Sequence, residues 1–190
     1  MIKTIYLSRH GQSLNNTKKL IGGNSGLSSD GKQYSYKLHQ YFKNNNINVN
    51  VITSNLIRTI QTAKYFNETT QFEELNEINS GICDSMTYLE IENKYPEEFN
   101  KRKTNKYYYR YPEGESYSDI NSRLKKIYNL INDTETDLLI IAHQAVLRVL
   151  ISNYIYSDIK DIPYLDVSLN TIYKIIIEEN SCKLEIINSI

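Results

Sequence analysis

Short apolar runs alternate along the chain with longer stretches in which apolar residues recur at the spacing of a helix face. Residues 2–8 alternate and are rich in β-formers, and residues 49–53 have the same character, so both are predicted strands. Leu138–Ala142 is apolar throughout, which is typical of a central strand in a parallel sheet. The other predicted strands are 72–75, which is short, and 169–177 with 182–187, a pair near one edge.

Predicted helices separate these strands, and polar residues in capping positions mark where several of them begin. Ser28 and Ser54 each precede such a stretch, and Ser116 with Asp119 forms a capping box. The predicted helices cover residues 28–42, 55–66, 116–131 and 145–154. Strands that alternate with helices predict an α/β fold of three layers, a mostly parallel central sheet with helices on both faces.

The length of the chain, 190 residues, fits a single domain over residues 1–190 with a full hydrophobic core. Residues 75–115 interrupt the alternation of strands and helices, so we interpret them as an insertion. This insertion contains one predicted helix near residues 87–95 and a loop rich in Lys, Arg and Tyr. We therefore expect one α/β core that carries one added segment.

Charge balance and cysteine content argue against several classes of protein. Lys and Arg together number 22, as do Asp and Glu, so the formal net charge is zero. That balance argues against a nucleic-acid or membrane-surface partner, and an anionic ligand then needs a local cluster of positive groups. Cys83 and Cys182 form no disulfide framework and lack metal-site spacing, so we expect a cytoplasmic protein. The chain starts directly in a strand, and no apolar run is long enough to span a bilayer.

Histidines follow two of the predicted strands at the point where each strand ends. Arg9 and His10 come directly after the first strand, and His143 comes directly after Leu138–Ala142. Because the carboxyl ends of parallel strands meet at one edge of a sheet, we expect these side chains to lie close together. Arg58 lies in the first turn of the helix that leaves the second strand and can point back over the same edge. Glu77 lies in a turn-rich stretch just beyond another predicted strand.

This set of residues suits the transfer of a phosphoryl group through a histidine. A neutral His10 would attack phosphorus, with its second ring nitrogen held by a hydrogen bond that selects the tautomer. Arg9 and Arg58 would bind the phosphoryl oxygens and favour the neutral imidazole. Glu77 would protonate the leaving alkoxide and then deprotonate the incoming water. Gly11 would leave room for the approaching group, and the scheme requires no metal and no cofactor.

Each of these residues alone has a simpler structural interpretation. A histidine at a strand end is more often a hydrogen-bonded structural residue, and Glu77 and Arg58 taken singly are ordinary surface charges. His39 lies in a predicted helix among polar residues, and we interpret it as a surface residue. Only the joint pattern favours catalysis. The chain has no G-x-S-x-G elbow, no Gly-rich loop ending in Gly-Lys-Ser/Thr and no G-x-G-x-x-G.

Several sequence blocks carry a resemblance to a known family. They are Arg9-His10-Gly11-Gln12-Ser13 and residues 21–28, 53–63, 75–78, 86–88, 95–99, 110–117 and 143–148. In them the chain resembles the histidine phosphatases related to cofactor-dependent phosphoglycerate mutase, from residue 5 to about residue 163. Blocks 21–23, 86–88 and 111–117 are most similar to the branch formed by the fructose-2,6-bisphosphatase domain of 6-phosphofructo-2-kinase/fructose-2,6-bisphosphatase. The resemblance implies a phosphoglycerate mutase-like fold.

The resemblance also implies a role for each matching residue. His10 would be the phosphorylated nucleophile, Glu77 the general acid and base, and His143 a stabiliser of the transferring phosphoryl group. The phosphate pocket would be completed by Arg9, Asn16, Arg58 and Gln144, with backbone contacts from Gly22. The sugar and its distal 6-phosphate would be held by Tyr88, Arg102, Lys106, Tyr117 and Arg148, so that the insertion covers the substrate. A second cationic cluster is what a ligand with two phosphates needs, although the same loop could also be a solvated surface segment.

The activity implied by the resemblance is hydrolysis of the 2-phosphate of fructose 2,6-bisphosphate, which gives fructose 6-phosphate and phosphate. A second interpretation is a phosphoglycerate mutase or broad-specificity phosphatase, because the residues around the histidine are shared. A third, of another class, is a catalytically idle protein that binds a phosphorylated ligand. The chain contains no kinase domain, so we expect a phosphatase that only lowers the level of the sugar bisphosphate.

Overall fold

The computed structural model describes residues 2–155, 158–179 and 181–188. Its centre is a six-stranded sheet with the order β3-β2-β4-β1-β5-β6. The strands are β1 (Lys3–Arg9), β2 (Asn50–Thr53), β3 (Thr69–Gln71), β4 (Leu138–Ala142), β5 (Thr171–Ile177) and β6 (Cys182–Asn188). The helices are α1 (Leu14–Thr17), α2 (Ser29–Asn44), α3 (Ile57–Thr62), α4 (Tyr88–Lys94), α5 (Pro96–Thr104), α6 (Tyr117–Arg123), α7 (Lys125–Asp133) and α8 (Gln144–Ile155).

The sheet is mostly parallel, as predicted. β3, β2, β4 and β1 run in the same direction, whereas β5 pairs antiparallel with β1, and β6 pairs antiparallel with β5 at the edge of the sheet. The register pairs Arg9 with Ala142, so β1 and β4 end at the same level. The backbone N–H of His10 donates to the Ala142 carbonyl at 3.0 Å and extends the ladder by one residue. This register places His10 and His143 side by side.

Helices cover both faces of the sheet, which confirms the three-layer fold. β4 is buried along its whole length, and its side chains alternate between the two faces. Leu138, Ile140 and Ala142 pack with α6, α7 and α8. Leu139 and Ile141 pack with α2 and α3 on the opposite face. The continuous apolar run is therefore explained by burial on two faces rather than one.

Two predicted elements around β2 differ from the structure. The strand predicted at residues 72–75 is wrong: β3 precedes it, and Glu73–Leu75 forms a 3-10 turn. The residues of β3 are polar and exposed, so no apolar pattern marks this edge strand. The helix predicted over 55–66 is shorter, because α3 ends at Thr62. Ser54 does not cap α3, because the N-cap of that helix is Leu56. The Ser54 hydroxyl does accept a hydrogen bond from the Leu56 N–H at 3.2 Å.

The helix predicted over residues 116–131 is two helices. Ser116 and Asp119 do form the predicted capping box, and α6 begins directly after Ser116, at Tyr117. At Leu124 the backbone departs from α-helical geometry, with ψ of −6°, and α7 follows. Leu124 is fully buried, so the apolar spacing continues across the break and hides it. Ser28 caps α2 as predicted. His39, expected at the surface, is half-buried on α2.

The insertion contains two helices, where one was predicted. α4 begins at the capping box of Thr87 and Glu90, and α5 begins directly after Tyr95 because Pro96 suits the first position of a helix. Buried Cys83, Ile91 and Tyr111 form a small apolar cluster of their own in this region. Among the described residues, no helix is both long and apolar enough to cross a membrane.

Candidate active site

The two strand-end histidines lie side by side, as the sheet register requires. The ring centroids of His10 and His143 are 5.1 Å apart, with the ring planes tilted by 55°. Their exposed fractions are 3% and 0%. The structure therefore brings together the two histidines that the sequence predicted to meet.

Hydrogen bonds select the tautomer of each histidine. The Gly11 carbonyl can only accept, so the Nδ1–H of His10 donates to it at 2.8 Å. The Nε–H of Arg58 donates to Nε2 of His10 at 3.1 Å and to Nδ1 of His143 at 3.2 Å. The remaining nitrogen of His143, Nε2, then carries the proton and donates to the Ser54 hydroxyl at 2.8 Å. Both imidazoles thus present a lone pair to the same guanidinium.

The surroundings keep both imidazoles neutral. Burial lowers the pKa of His10 well below its ordinary value, and the positive charges of Arg58 and Arg9 lower it further. The hydrogen bond to Gly11 opposes this shift only in part. Burial and Arg58 likewise lower the pKa of His143. A neutral imidazole, which carries a lone pair on its unprotonated nitrogen, is the nucleophilic form of histidine.

Backbone carbonyls hold the two arginines in place. The Nη1 of Arg58 donates to the Gly23 carbonyl at 2.7 Å, and that of Arg9 donates to the Val167 carbonyl at 2.8 Å. Burial lowers the pKa of both guanidinium groups, and the Glu77 carboxylate opposes the shift. Among the described residues, the buried Nε of Arg9 has no hydrogen-bond partner. A buried donor without a partner suits a site that binds an anion.

Glu77 is oriented by its own loop and by the start of α8. Its Oε1 accepts from the backbone N–H of Ile78 at 2.9 Å and from that of Ala145 at 3.3 Å. Ala145 lies in the first turn of α8, where the helix dipole favours negative charge. A carboxylate and the amino end of a helix therefore border the same pocket as His10.

Gly11 is required for a different reason from the one predicted. A Cβ at Gly11 would lie 2.4 Å from the Gly31 carbonyl oxygen, so it would collide with α2. A Cβ at Gly31 would in turn lie 2.1 Å from the Gln12 carbonyl oxygen. The prediction that Gly11 leaves room for an approaching group is wrong. The two glycines instead allow α2 to cross closely over the end of β1.

A pocket of about 130 Å³ gathers most of the predicted site residues. They are Arg9, His10, Asn16, Gly22, Arg58, Glu77, Tyr88, Arg102, Tyr117, Gln144 and Arg148. His143 is buried behind this lining, in contact with Arg58. We call His10, His143, Arg9, Arg58 and Glu77 the histidine cluster. We call Tyr88, Arg102, Tyr111, Tyr117 and Arg148 the tyrosine–arginine cluster.

In the tyrosine–arginine cluster, each guanidinium bonds a phenol. The Nη2 of Arg102 donates to the Tyr88 hydroxyl at 3.1 Å, and its guanidinium lies over the rings of Tyr88 and Tyr111. The Nη1 of Arg148 donates to the Tyr117 hydroxyl at 3.0 Å, and its Nε donates to the Leu165 carbonyl at 2.7 Å. Stacking and hydrogen bonds hold both planar cations in fixed orientations.

Lys106 departs from the prediction, because it does not line the pocket. Its ammonium donates to the Pro163 carbonyl at 2.9 Å and lies 4.4 Å from the centre of the Tyr164 ring. Burial lowers the pKa of Lys106 to about 8, and the charges of Arg102 and Arg148 add to the shift. The lysine is thus close enough to the tyrosine–arginine cluster to feel its charge while bonded elsewhere.

Three predicted residues line the pocket in supporting positions. Asn16 bonds back to the start of α1, where its Oδ1 accepts from the Ser13 N–H at 2.9 Å. Gly22 has φ of +65°, and a Cβ there would lie 1.8 Å from Oδ1 of Asp84. Gln144 is half-buried at the first position of α8. Only glycine can occupy position 22 without rearrangement.

The sequence interpretation missed Ser54 and Tyr111. Ser54 directly follows β2, so the reasoning that selected His10 and His143 could have selected it too. Tyr111 is one of 17 tyrosines, but it opens block 111–117, and that block could have singled it out. Among the described residues, no three His, Cys, Asp or Glu side chains converge as a metal site requires.

A phosphoglycerate mutase-like α/β fold and a buried histidine pair beside two arginines define a phosphatase. The profile described as Histidine phosphatase superfamily (branch 1) matches residues 5–190. The chain belongs to this superfamily.

Relatives and solved structures agree with this assignment. The chain is 44% identical to 6-phosphofructo-2-kinase/fructose-2,6-bisphosphatase of Aquarana catesbeiana and 43% identical to form 1 of that enzyme in Homo sapiens. Each match covers 96% of this chain and 39% of the relative, so the chain spans about two fifths of those proteins. The alpha-ribazole phosphatase of Shigella flexneri superposes with a TM-score of 0.86 at 20% identity, over 98% of this chain and 96% of that one. A mycobacterial glucosyl-3-phosphoglycerate phosphatase superposes with a TM-score of 0.83 at 16% identity, over 98% of this chain and 99% of that one. These structures share the fold.

Proposed function

We propose that this phosphatase hydrolyses the 2-phosphate of fructose 2,6-bisphosphate through a phosphohistidine intermediate. The products are fructose 6-phosphate and inorganic phosphate. Relatives that are 43–44% identical over nearly the whole chain are named for this bisphosphatase activity. The substrate is a small phosphorylated sugar.

The observation that carries the substrate assignment is the tyrosine–arginine cluster. The histidine cluster needs only one phosphate, yet Arg102 and Arg148 place two further guanidinium groups on the same pocket. Fixed, stacked guanidinium groups are suited to bind phosphate in two-point contacts. A ligand with two phosphates satisfies both clusters, whereas a monophosphate leaves one of them unneutralised.

In the first step, Nε2 of His10 attacks phosphorus in line with the sugar oxygen that leaves. The P–N bond forms as the P–O bond breaks, and protonated Glu77 gives its proton to the leaving oxygen. Arg58 and Arg9 donate to the phosphoryl oxygens throughout. Neutral His143 stabilises the transferring phosphoryl group through Arg58, whose Nε–H it accepts at Nδ1.

In the second step, water hydrolyses the phosphohistidine. Glu77, now a carboxylate, takes a proton from water as the water oxygen attacks phosphorus. The P–N bond breaks, phosphate is released and Nε2 of His10 recovers its lone pair. A positioned acid and base of this kind contributes about 10²–10⁴ in rate.

A steady-state assay on the purified protein tests the substrate. Fructose 2,6-bisphosphate should be hydrolysed with a higher kcat/KM than other phosphorylated metabolites, and 3-phosphoglycerate should not be isomerised at a comparable rate. Faster isomerisation of 3-phosphoglycerate would instead establish a mutase. A protein that binds the sugar bisphosphate without turnover and without covalent phosphate would be a binding protein.

We also propose that the protein works in the cytoplasm. Cys83 is buried and Cys182 is exposed, and neither forms a disulfide within the described residues. Free thiols are typical of a reducing compartment. Recovery of the protein with the soluble cytoplasmic fraction of its source cells supports this placement, and recovery with an organelle or the medium contradicts it.

A further inference from the structure

The loop that carries Glu77 is held on both sides by one ion pair from another part of the chain. Glu115 lies just before α6, and Arg123 is the last residue of α6. The Nε of Arg123 lies 2.9 Å from Oε1 of Glu115, and both side chains are about one fifth exposed. Neither residue belongs to the two clusters that line the substrate pocket.

Before Glu77 in the chain, the contacts come from the arginine. The Nη2 of Arg123 donates to the Asn76 carbonyl at 2.7 Å, and its Nη1 donates to the Glu74 carbonyl. The carbonyl of Asn76 belongs to the peptide bond that leads into Glu77. Arg123 therefore fixes the backbone immediately on the amino side of the carboxylate.

After Glu77, the contacts come from Glu115. Its Oε2 accepts from the Asn79 N–H at 2.9 Å, and its own backbone N–H donates to the Asn79 carbonyl at 2.8 Å. The Nη2 of Arg123 also donates to Oε2 of Glu115 at 3.2 Å, so the arginine and the carboxylate are joined by two hydrogen bonds. One ion pair thus spans the loop from residue 74 to residue 79, with Glu77 between its contacts.

We propose that Arg123 and Glu115 are positioning residues that hold Glu77 at the distance required for proton transfer. This proposal rests on the acid and base role of Glu77 in the proposed function. A general acid must reach the leaving oxygen within hydrogen-bonding distance, and a displacement of about 1 Å costs about 10²-fold in rate. Within the part of the chain that the structure describes, the Glu77 carboxylate bonds only backbone N–H groups, through Oε1, so its position follows the position of its loop.

The chain offers a matched control on the same loop. Lys126 forms an ion pair with the Glu74 carboxylate at 2.7 Å, and within the described residues it makes no hydrogen bond to residues 76–79. The Lys126 side chain is 63% exposed and that of Glu74 is 15% exposed, so the carboxylate of this pair is about as buried as that of Glu115. Lys126→Ala removes a salt bridge from the loop without removing the contacts on either side of Glu77.

The test uses two leaving groups to distinguish a loss of proton transfer from a loss of the other functions of the active site. An alkyl phosphate needs an acid to leave, whereas p-nitrophenolate leaves without one. The rate of phosphoenzyme formation is measured by rapid quench with fructose 2,6-bisphosphate and with p-nitrophenyl phosphate. Glu77→Gln serves as the reference for loss of the acid, and thermal unfolding shows that each variant is folded.

We expect Arg123→Lys and Glu115→Gln to slow phosphoenzyme formation from the sugar phosphate by about 10- to 100-fold. Formation from p-nitrophenyl phosphate should change by less than about threefold, and Lys126→Ala should match the wild type on both substrates. Equal losses on the two substrates, or unchanged rates in folded variants, would overturn the proposal. If the wild type prefers another alkyl phosphate, the proposed substrate fails, while the same contrast measured on that ester still tests the ion pair.

Discussion

His10 and His143 directly follow neighbouring strands of the central sheet, whereas Tyr88 and Arg102 lie on α4 and α5 of the insertion. Strand register therefore positions the two histidines; His10, His143 and Arg58 are buried, whereas Arg9 and Glu77 are half-buried. In the tyrosine–arginine cluster, Tyr88, Arg102 and Tyr111 belong to the insertion with its small apolar cluster, while Tyr117 and Arg148 lie on α6 and α8; Tyr88 is 46% exposed. Under the proposed function, we infer that the chemistry depends mainly on the ends of the sheet strands, while the insertion adds substrate contacts from Tyr88, Arg102 and Tyr111.

Removal of the nucleophile is the most severe test of the histidine cluster. We expect His10→Ala to lower kcat by about 10⁴-fold or more and to abolish covalent phosphate, because His10 is the only histidine among the described residues that lines the pocket. Steady-state hydrolysis and trapping of labelled phosphate measure both effects. His39→Ala is the matched control and should retain activity. Substantial turnover in folded His10→Ala would exclude histidine catalysis at this position.

Removal of Arg102 tests the tyrosine–arginine cluster. A hydrogen bond to a charged group contributes about 1.5–3 kcal/mol, so Arg102→Ala should raise KM for the sugar bisphosphate by about 10- to 100-fold. Its kcat should change little, because the histidine cluster is intact. Arg110→Ala is the control, since Arg110 is exposed in the same insertion and pairs with Asp119. A large fall in kcat with unchanged KM would contradict the division between the clusters.

Ser54→Ala tests the tautomer of His143. The variant removes the oxygen that accepts from Nε2–H of His143, so the imidazole is free to place its proton on either nitrogen. We expect kcat to fall by about tenfold and KM to stay the same, at a stability cost of about 1 kcal/mol. Steady-state kinetics and chemical denaturation measure the two quantities. Ser54→Thr, which keeps the hydroxyl, should recover much of the lost rate; no difference between the two variants would remove Ser54 from the mechanism.

Burial of the histidines has a consequence for stability at low pH. The folded-state pKa values of His10 and His143 lie well below 6.5, so below pH 6.5 the unfolded chain binds more protons than the folded one. The free energy of unfolding should therefore decrease as the pH is lowered below about 6.5, by up to about 1.4 kcal/mol per pH unit for each imidazole. Urea denaturation at several pH values measures the slope. The double variant His10→Asn/His143→Asn should show a smaller slope, and an unchanged slope would contradict the assigned burial.

The parallel sheet and most of the histidine cluster could be predicted because both depend on short-range sequence signals. An apolar run followed by a histidine identifies a strand end, and parallel strands bring their ends together. The position of Lys106 could not be predicted, because its partner Pro163 is distant in the chain. The break at Leu124 could not be predicted, because the apolar spacing continues across it. The edge strand β3 could not be predicted, because its residues are polar and show no apolar pattern. The requirement for Gly11 depends on a helix crossing that only the folded backbone shows.

The central claim is that the 2-phosphate passes to His10. Fructose 2,6-bisphosphate labelled in its 2-phosphate is mixed with excess protein, quenched in alkaline denaturant to preserve a P–N bond, and the labelled peptide is sequenced. We predict label on the peptide that contains His10 and on Nε2 of that residue. Rapid hydrolysis without label on His10, or label on His10 only when the substrate is labelled in its 6-phosphate instead, would contradict the account.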